Sequence, residues 1–164
     1  MTLLRSLTGP ALVAVLVSAV PATTAQAATG HSDTTAAAAA QWGPAYSPGR
    51  RAKAVGSLSV SGEDHGDIPA ASTVRISGNL HDLTRRGPSC GWAVFRITYR
   101  THDGNLPFRH RSISTCSYGA PKSFTFAYHD VYQVELKVCA EPKAARPSLT
   151  CLYAGTWKVL YLSR

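Results

Sequence analysis

The sequence predicts an all-β fold, a seven-stranded antiparallel sandwich held by two hairpin disulfides. Three observations carry that prediction. From Val131 to Cys139 the chain alternates: Tyr132, Val134, Leu136 and Val138 are apolar while Gln133, Glu135 and Lys137 are polar. That is the period-2 pattern of a strand with one face in a core and the other in water. Similar short runs recur at regular spacing, separated by Gly, Pro, Asn and Asp, as in sandwiches and barrels. Four cysteines, Cys90, Cys116, Cys139 and Cys151, fall in the C-terminal half, an even number suited to two disulfides in an exported chain.

The export signal is at the N-terminus. Arg5 is followed by an apolar run from Ala11 to Val20 and by the small-residue site Ala25-Gln26-Ala27, which reads as a signal peptide over residues 1–27. The apolar run is too short to span a bilayer. Residues 28–52 are mostly Ala, Thr, Ser, Gly and Pro. With little to bury, they are expected to form a flexible linker or propeptide. Trp42 and Tyr46 stand out there as aromatics able to dock back on the domain, and Arg50-Arg51 is a dibasic pair open to processing. The remainder, 53–164, is expected to be a single β domain. The whole chain has 17 Lys and Arg against 9 Asp and Glu; the leader removes only Arg5, leaving 137 residues with a formal charge of +7. A basic exported domain suits an anionic cell-wall polymer, a glycan or protein surface, or a membrane surface, rather than nucleic acid.

Seven strands follow in order: Lys53–Ser61, Thr73–Leu83, Gly91–Arg100, Arg111–Cys116, Lys122–Tyr128, Val131–Cys139 and Cys151–Leu162. In the second, Val74, Ile76 and Leu80 share a face, and Gly78 in the middle predicts a bulge. In the fifth, Phe124, Phe126 and Tyr128 point inward. Paired residues of an antiparallel hairpin have a constant index sum, so each candidate disulfide fixes a turn. Cys90 with Cys116 centres a hairpin on Asp103, within the turn sequence His102-Asp103-Gly104-Asn105. Cys139 with Cys151 centres another on Ala145, between Pro142 and Pro147. Both centres fall where composition already places a loop, which favours these two pairings. The cysteine spacings of 26, 23 and 12 lack the close ligand pairs of a zinc site.

The same rule sorts the faces. Ala93, Phe95, Ile97 and Tyr99 fall on the core side; Trp92, Val94, Arg96, Thr98 and Arg100 fall on the outer side with His110, Ser112 and Ser114. On the last strand the register from Cys151 puts Tyr153 and Trp157 outside; a bulge at Gly155 would instead turn Trp157 and Val159 inward, and is preferred because it buries the larger side chain.

The leading candidate site is therefore the outer face of Trp92, Arg96, Arg100 and His110. An exposed indole beside guanidinium groups stacks on sugar rings while the charges hold an anion. The competing reading is a covered tryptophan below a solvated charged face. A second candidate is the loop from Ala140 to Thr150, which would make the chain a serine-protease inhibitor presenting Lys143, with Arg146 nearby, as a substrate-like residue in a disulfide-closed loop. Glu63, Asp64 and Asp67 share one turn and could offer oxygens to calcium, but depart from the usual calcium-loop pattern. The six histidines form no paired ligand motif, and no G-x-S-x-G elbow is present. No catalytic set, resident metal or cofactor is therefore expected. An enzyme site assembled from distant loops is the remaining alternative.

From about Cys90 to Trp157 the chain resembles the small secreted two-disulfide β proteins common in actinobacteria. The features that carry this are Lys137-Val138-Cys139, the cysteine 12 residues on, and Gly155-Thr156-Trp157. In strand count it is also similar to immunoglobulin-like sandwiches, though its expected bridges join hairpin neighbours instead of the two sheets. The resemblance implies a secreted context and an immunoglobulin-like sandwich, and assigns no activity. The sequence as a whole points to a secreted, non-enzymatic binding module.

Overall fold

A computed structural model describes residues 39–85 and 87–164. The elements are β1 (Ala40–Tyr46), a short 3-10 turn (Pro48–Arg50), β2 (Ala52–Glu63), β3 (Ala71–Asp82), β4 (Ser89–Tyr99), β5 (Phe108–Thr115), β6 (Lys122–Pro142), a helix α1 (Leu149–Tyr153) and β7 (Lys158–Leu162). They form one open sheet in the order β1-β2-β3-β6-β4-β5, with β7 also paired to β6, and every pair is antiparallel. The leader and residues 28–38 lie outside the described residues.

The 21-residue β6 organises this sheet. Its first half, Lys122 to Val131, pairs with β3; its second half, Val131 to Pro142, pairs with β4 along the opposite edge. β7 then takes the edge that β3 leaves, at Gln133 to Leu136. The sequence pattern divides this strand at His129-Asp130. The chain instead passes through, with Asp130 in a left-handed conformation (φ 52°) and a register shift just after it, where Tyr132 is the extra residue between the pairs Thr98–Gln133 and Tyr99–Val131. A bulge of this kind bends a strand without ending it.

The bend folds the sheet over itself, so that inner faces from both halves share one core. Phe95 of β4 lies 5.9 Å from Trp42, 5.5 Å from Phe124 and 5.1 Å from Phe126, ring centre to ring centre. Trp42, Gly56, Gly78 and Phe124 are successive partners across β1, β2, β3 and β6. The two central glycines therefore let the flanking rings lie over bare backbone. A Cβ on Gly78 would come within 2.9 Å of the Phe124 ring and 3.0 Å of Trp42. Gly78 thus makes no bulge, as the register through it is unbroken; it is a seat for aromatics.

The segment expected to be a linker is corrected by the same row. Residues 40–46 form an edge strand, and Trp42 is only 8% exposed. The arginine pair lies in the turn that follows, where the Arg51 carbonyl accepts from Leu83 N–H and its guanidinium donates to the Ala140 carbonyl at 3.3 Å.

The two expected disulfides are both formed, in different settings. The β4–β5 hairpin pairs Gly91 with Thr115, the register that a turn centred on Asp103 requires. Cys139–Cys151 is no hairpin rung, because Cys151 sits in α1 and the return strand begins only at Lys158. Pro142 and Pro147 lack the N–H groups a ladder needs, and Ser148 caps a helix start by accepting from Cys151 N–H at 3.1 Å.

Replacing Trp42 by alanine is expected to lower the unfolding free energy in urea titration by about 3–5 kcal/mol, the usual cost of emptying a buried aromatic site. A loss below about 1 kcal/mol would mean that residues 40–46 are peripheral to the fold.

Candidate functional site

The outer face of β4 and the second half of β6 is where the sequence places its leading candidates. Part of it is covered. Trp92, Val94, Cys90 and Cys139 are buried there with Cys151, and Leu152 and Trp157 pack on them from above. Trp92 is 3% exposed, and its buried indole N–H has no hydrogen-bond acceptor. It supports the surface from beneath and is not part of it.

What shows at the surface is a cluster centred on Trp157. The sequence reading turns this ring into the main core through a bulge at Gly155. Gly155 (φ 76°) instead makes a turn after α1, and the indole settles on the outer face. His110 of β5 stacks parallel to it, 5.7 Å between centroids at an interplanar angle of 5°. The Arg96 guanidinium lies 4.7 Å, and the Lys137 ammonium 4.6 Å, from the centre of the same ring, within the range of cation–π attraction. Arg96 also forms an ion pair with Glu135 at 2.6 Å. Lys137 donates to the Ala154 carbonyl at 2.7 Å, satisfying the otherwise open C-terminal end of α1. Phe108 and Tyr153 flank His110, 5.3 and 6.5 Å from its ring, and are 52% and 68% exposed. Val159 and Leu162, on the β7 edge opposite Glu135 and Gln133, are exposed as well.

The electrostatics follow from this crowding. Burial pushes the His110 imidazole below the usual histidine range, and the positive charges of Arg96 and Lys137 add to the effect. Burial likewise lowers Lys137, with Arg96 acting in the same sense. Three basic groups thus share one patch with a single carboxylate, Glu135.

Arg100 stands apart. Its guanidinium pairs with Asp64 at 2.5 Å and donates to the Ile68 carbonyl, so it ties down the Glu63–Ala70 loop. Of the leading candidates, then, Arg96 and His110 meet, Trp92 lies below them, and Arg100 serves a different loop. Hydrogen bonds occupy two of the three acids weighed for calcium, Asp64 through Arg100 and Glu63 through Tyr161. The hydrogen bond from Arg100, and then the Ala70 amide, hold the Asp64 carboxyl below its ordinary range. Glu63 is lowered chiefly by the Tyr161 hydroxyl, which donates to it at 2.8 Å; burial pushes Tyr161 up to about 12. Asp67 is exposed on the same loop. Among the described residues no three His, Cys, Asp or Glu side chains gather as a metal site.

Lys143 and Arg146 are both exposed on a bent segment between β6 and α1. The Lys143 N–H donates to the Pro88 carbonyl at 3.2 Å.

Four members of the patch escape the sequence reading. Lys137 and Phe108 are legible in principle, since alternation puts Lys137 across from Val94 and Phe108 across from Thr98, on the outer face. Strand register from Cys151 also puts Tyr153 outside, and Trp157 with it unless a bulge intervenes, but both reach the patch through a helix and turn where the pattern predicts a strand. No family model matches this chain, and no curated protein or solved structure is similar to it at a significant level.

Because His110 has a folded-state pKa below its unfolded value, the folded form resists its protonation. Stability from this group is full above the ordinary histidine pKa of about 6.5 and falls as pH drops through it. His81 shifts in the same direction through burial, so the His110 share is the part removed by His110→Gln. The urea midpoint is expected to fall on acidification from about pH 7.5 to 5.5 less steeply in that variant than in the parent. Equal slopes would place His110 outside the buried stack.

Proposed function

We propose that this chain is a secreted, non-enzymatic binding module that contacts an anionic, glycan-like surface through the Trp157 patch. The observation that carries this reading is the placing of Arg96 and Lys137 within 5 Å of one indole ring, with Phe108 and Tyr153 exposed beside them. Arg96 attracts a polyanion, with the nearly buried Lys137 adding positive field from beneath, and the two exposed rings can stack on sugar faces, which are apolar above and below the ring. Trp157 itself is the rigid centre that fixes how far apart the charges lie. A binding role is favoured over catalysis because the carboxylate and the imidazole of the patch are both engaged. Glu135 is held by Arg96 and His110 lies flat on Trp157, so no acid and base face each other across the patch.

Export and kinship belong to the same proposal. Two disulfides with no free cysteine among the described residues suit an oxidising compartment. We read the doubled sheet as an immunoglobulin-like sandwich of the actinobacterial secreted type, because both inner faces share one aromatic core.

Retention on an anionic cell-wall polymer tests the function. Binding is expected to weaken steadily with added salt, as exposed charges are screened beyond about 8 Å at physiological ionic strength. Arg96→Ala and Tyr153→Ala are each expected to reduce retention severalfold, while Lys143→Ala leaves it unchanged. Tyr153 is mostly exposed, so its loss should spare the fold. Retention indifferent to salt and to both patch variants would end this reading.

A further inference from the structure

Trp157 and Lys137 also line a cleft of ≈ 730 Å³ that Arg96, His110, Phe108 and Tyr153 do not reach. Its floor is β6 from Leu136 to Glu141, including the half-cystine Cys139, with Cys151 beside it. One wall is the end of β1 and the turn after it, with Pro44, Tyr46 and Arg51; the other runs from Ala154 to Lys158. Its size lies within the ordinary range for small-ligand sites.

The lining is apolar with unbalanced positive charge. Pro44, Tyr46 and Pro48 line it as exposed residues and Trp157 as a half-buried one, with Arg50 over the Tyr46 ring and His110 stacked on the indole, while Leu136, Val138, Cys139 and Cys151 lie nearly buried beneath them. Three cations line the cleft, Arg51, Lys137 and Lys158, against one acid, Glu141; Lys137 is nearly buried and already bonded to the Ala154 carbonyl, which leaves Arg51 and Lys158 to a ligand. That acid is already engaged, since it accepts from the Ser148 amide at 3.0 Å and from the Ser148 hydroxyl at 2.5 Å. Arg51 is held over the floor by its bond to the Ala140 carbonyl, which uses only one of its donors. Arg50 adds charge near the rim, with its guanidinium 4.0 Å from the centre of the Tyr46 ring. An uncharged or cationic ligand would leave these charges unanswered, and an inorganic anion would leave the aromatic walls unused.

We propose that the cleft binds a short acidic saccharide, with a sugar ring seated against Trp157 and Tyr46 and its carboxylate held by Arg51 and Lys158. This rests on the reading of the chain as a binder of anionic glycans and adds a second subsite, in which Trp157 separates an exposed polymer-contacting patch from a recessed seat for a single acidic unit. Two contacts of different kinds on one chain would raise retention through linkage, without either being strong alone.

Amide chemical-shift titration of the leader-free chain (28–164) tests it, with glucuronate as the probe and glucose and inorganic phosphate as controls. Glucuronate is expected to move the signals of Tyr46, Arg51 and Trp157 saturably, with glucose and phosphate at least about tenfold weaker, the factor that one well-placed contact supplies. Lys158→Ala and Arg51→Ala are each expected to weaken glucuronate by a similar factor, and Lys143→Ala, outside the cleft lining and the patch, to leave it unchanged. Lys158 is exposed, so its variant should fold even where Arg51→Ala disturbs the turn. The proposal is overturned by absence of saturation, by glucose or phosphate binding as well as glucuronate, or by equal affinity in Lys158→Ala. If glucuronate binds the cleft while polymer retention fails, the patch reading falls and the cleft stands; if retention holds and glucuronate is ignored, the cleft falls alone.

Discussion

The covalent tie between Cys139 and Cys151 is the constraint on which the functional surface depends. It pins the segment from Leu149 to Trp157 flat against the outer face of β6. A five-residue helix has no stability of its own in water; beside the disulfide this one is held by the Ser148 cap and its bonds to Glu141, by the Lys137 ammonium at its end, and by the packing of Leu152 and Trp157. In the chain-entropy model, closing a loop of this size contributes about 3 kcal/mol, enough to decide whether such a segment is docked or free. Once it is docked, Trp92 and Val94 are covered, and the Trp157 ring is delivered to Arg96, Lys137 and His110.

This arrangement makes β4 and the second half of β6 buried on both faces. On the inner side they meet the aromatic core of Phe95, Trp42, Phe124 and Phe126; on the outer side they carry the disulfide cluster. Two strands packed from both sides form a stiff platform, and the charged residues on them keep their spacing as a result. Glu135 and Lys137 show how polar residues survive there. Both are nearly buried, and each is matched, Glu135 by Arg96 and Lys137 by the carbonyls that end α1, as buried charges must be.

Much of this is readable from residue order alone. The hairpin from Cys90 to Cys116, its turn at Asp103 and the inward set of Ala93, Phe95 and Ile97 follow from alternation and one index rule, because local pairing geometry leaves no other solution. The rule fails for the second disulfide. Its two prolines and Ser148 favour a helix over a returning strand, and that choice moves Trp157 from the expected core to the outer surface. The strand that carries Trp42 is the other miss, although the docking of that ring on the domain is legible. A segment of alanine, glycine and proline looks empty in composition, and what makes it a strand is a distant pair of glycines, Gly56 and Gly78, that leave room for one indole. Tertiary complementarity of that kind leaves no local mark. Of the surface candidates, Arg96 and His110 are legible, whereas Trp92 is buried by an element the pattern does not reveal.

The most direct measurement of the disulfide's role is hydrogen exchange on a Cys139→Ala/Cys151→Ala variant. If the covalent tie is what docks the segment, amides from Leu149 to Trp157 should lose protection while those of β4 and of β6 from Val131 to Leu136 keep most of theirs. Protection of 149–157 equal to that of the parent chain would show that packing alone holds the segment, and would contradict a docking role for the Cys139–Cys151 bridge.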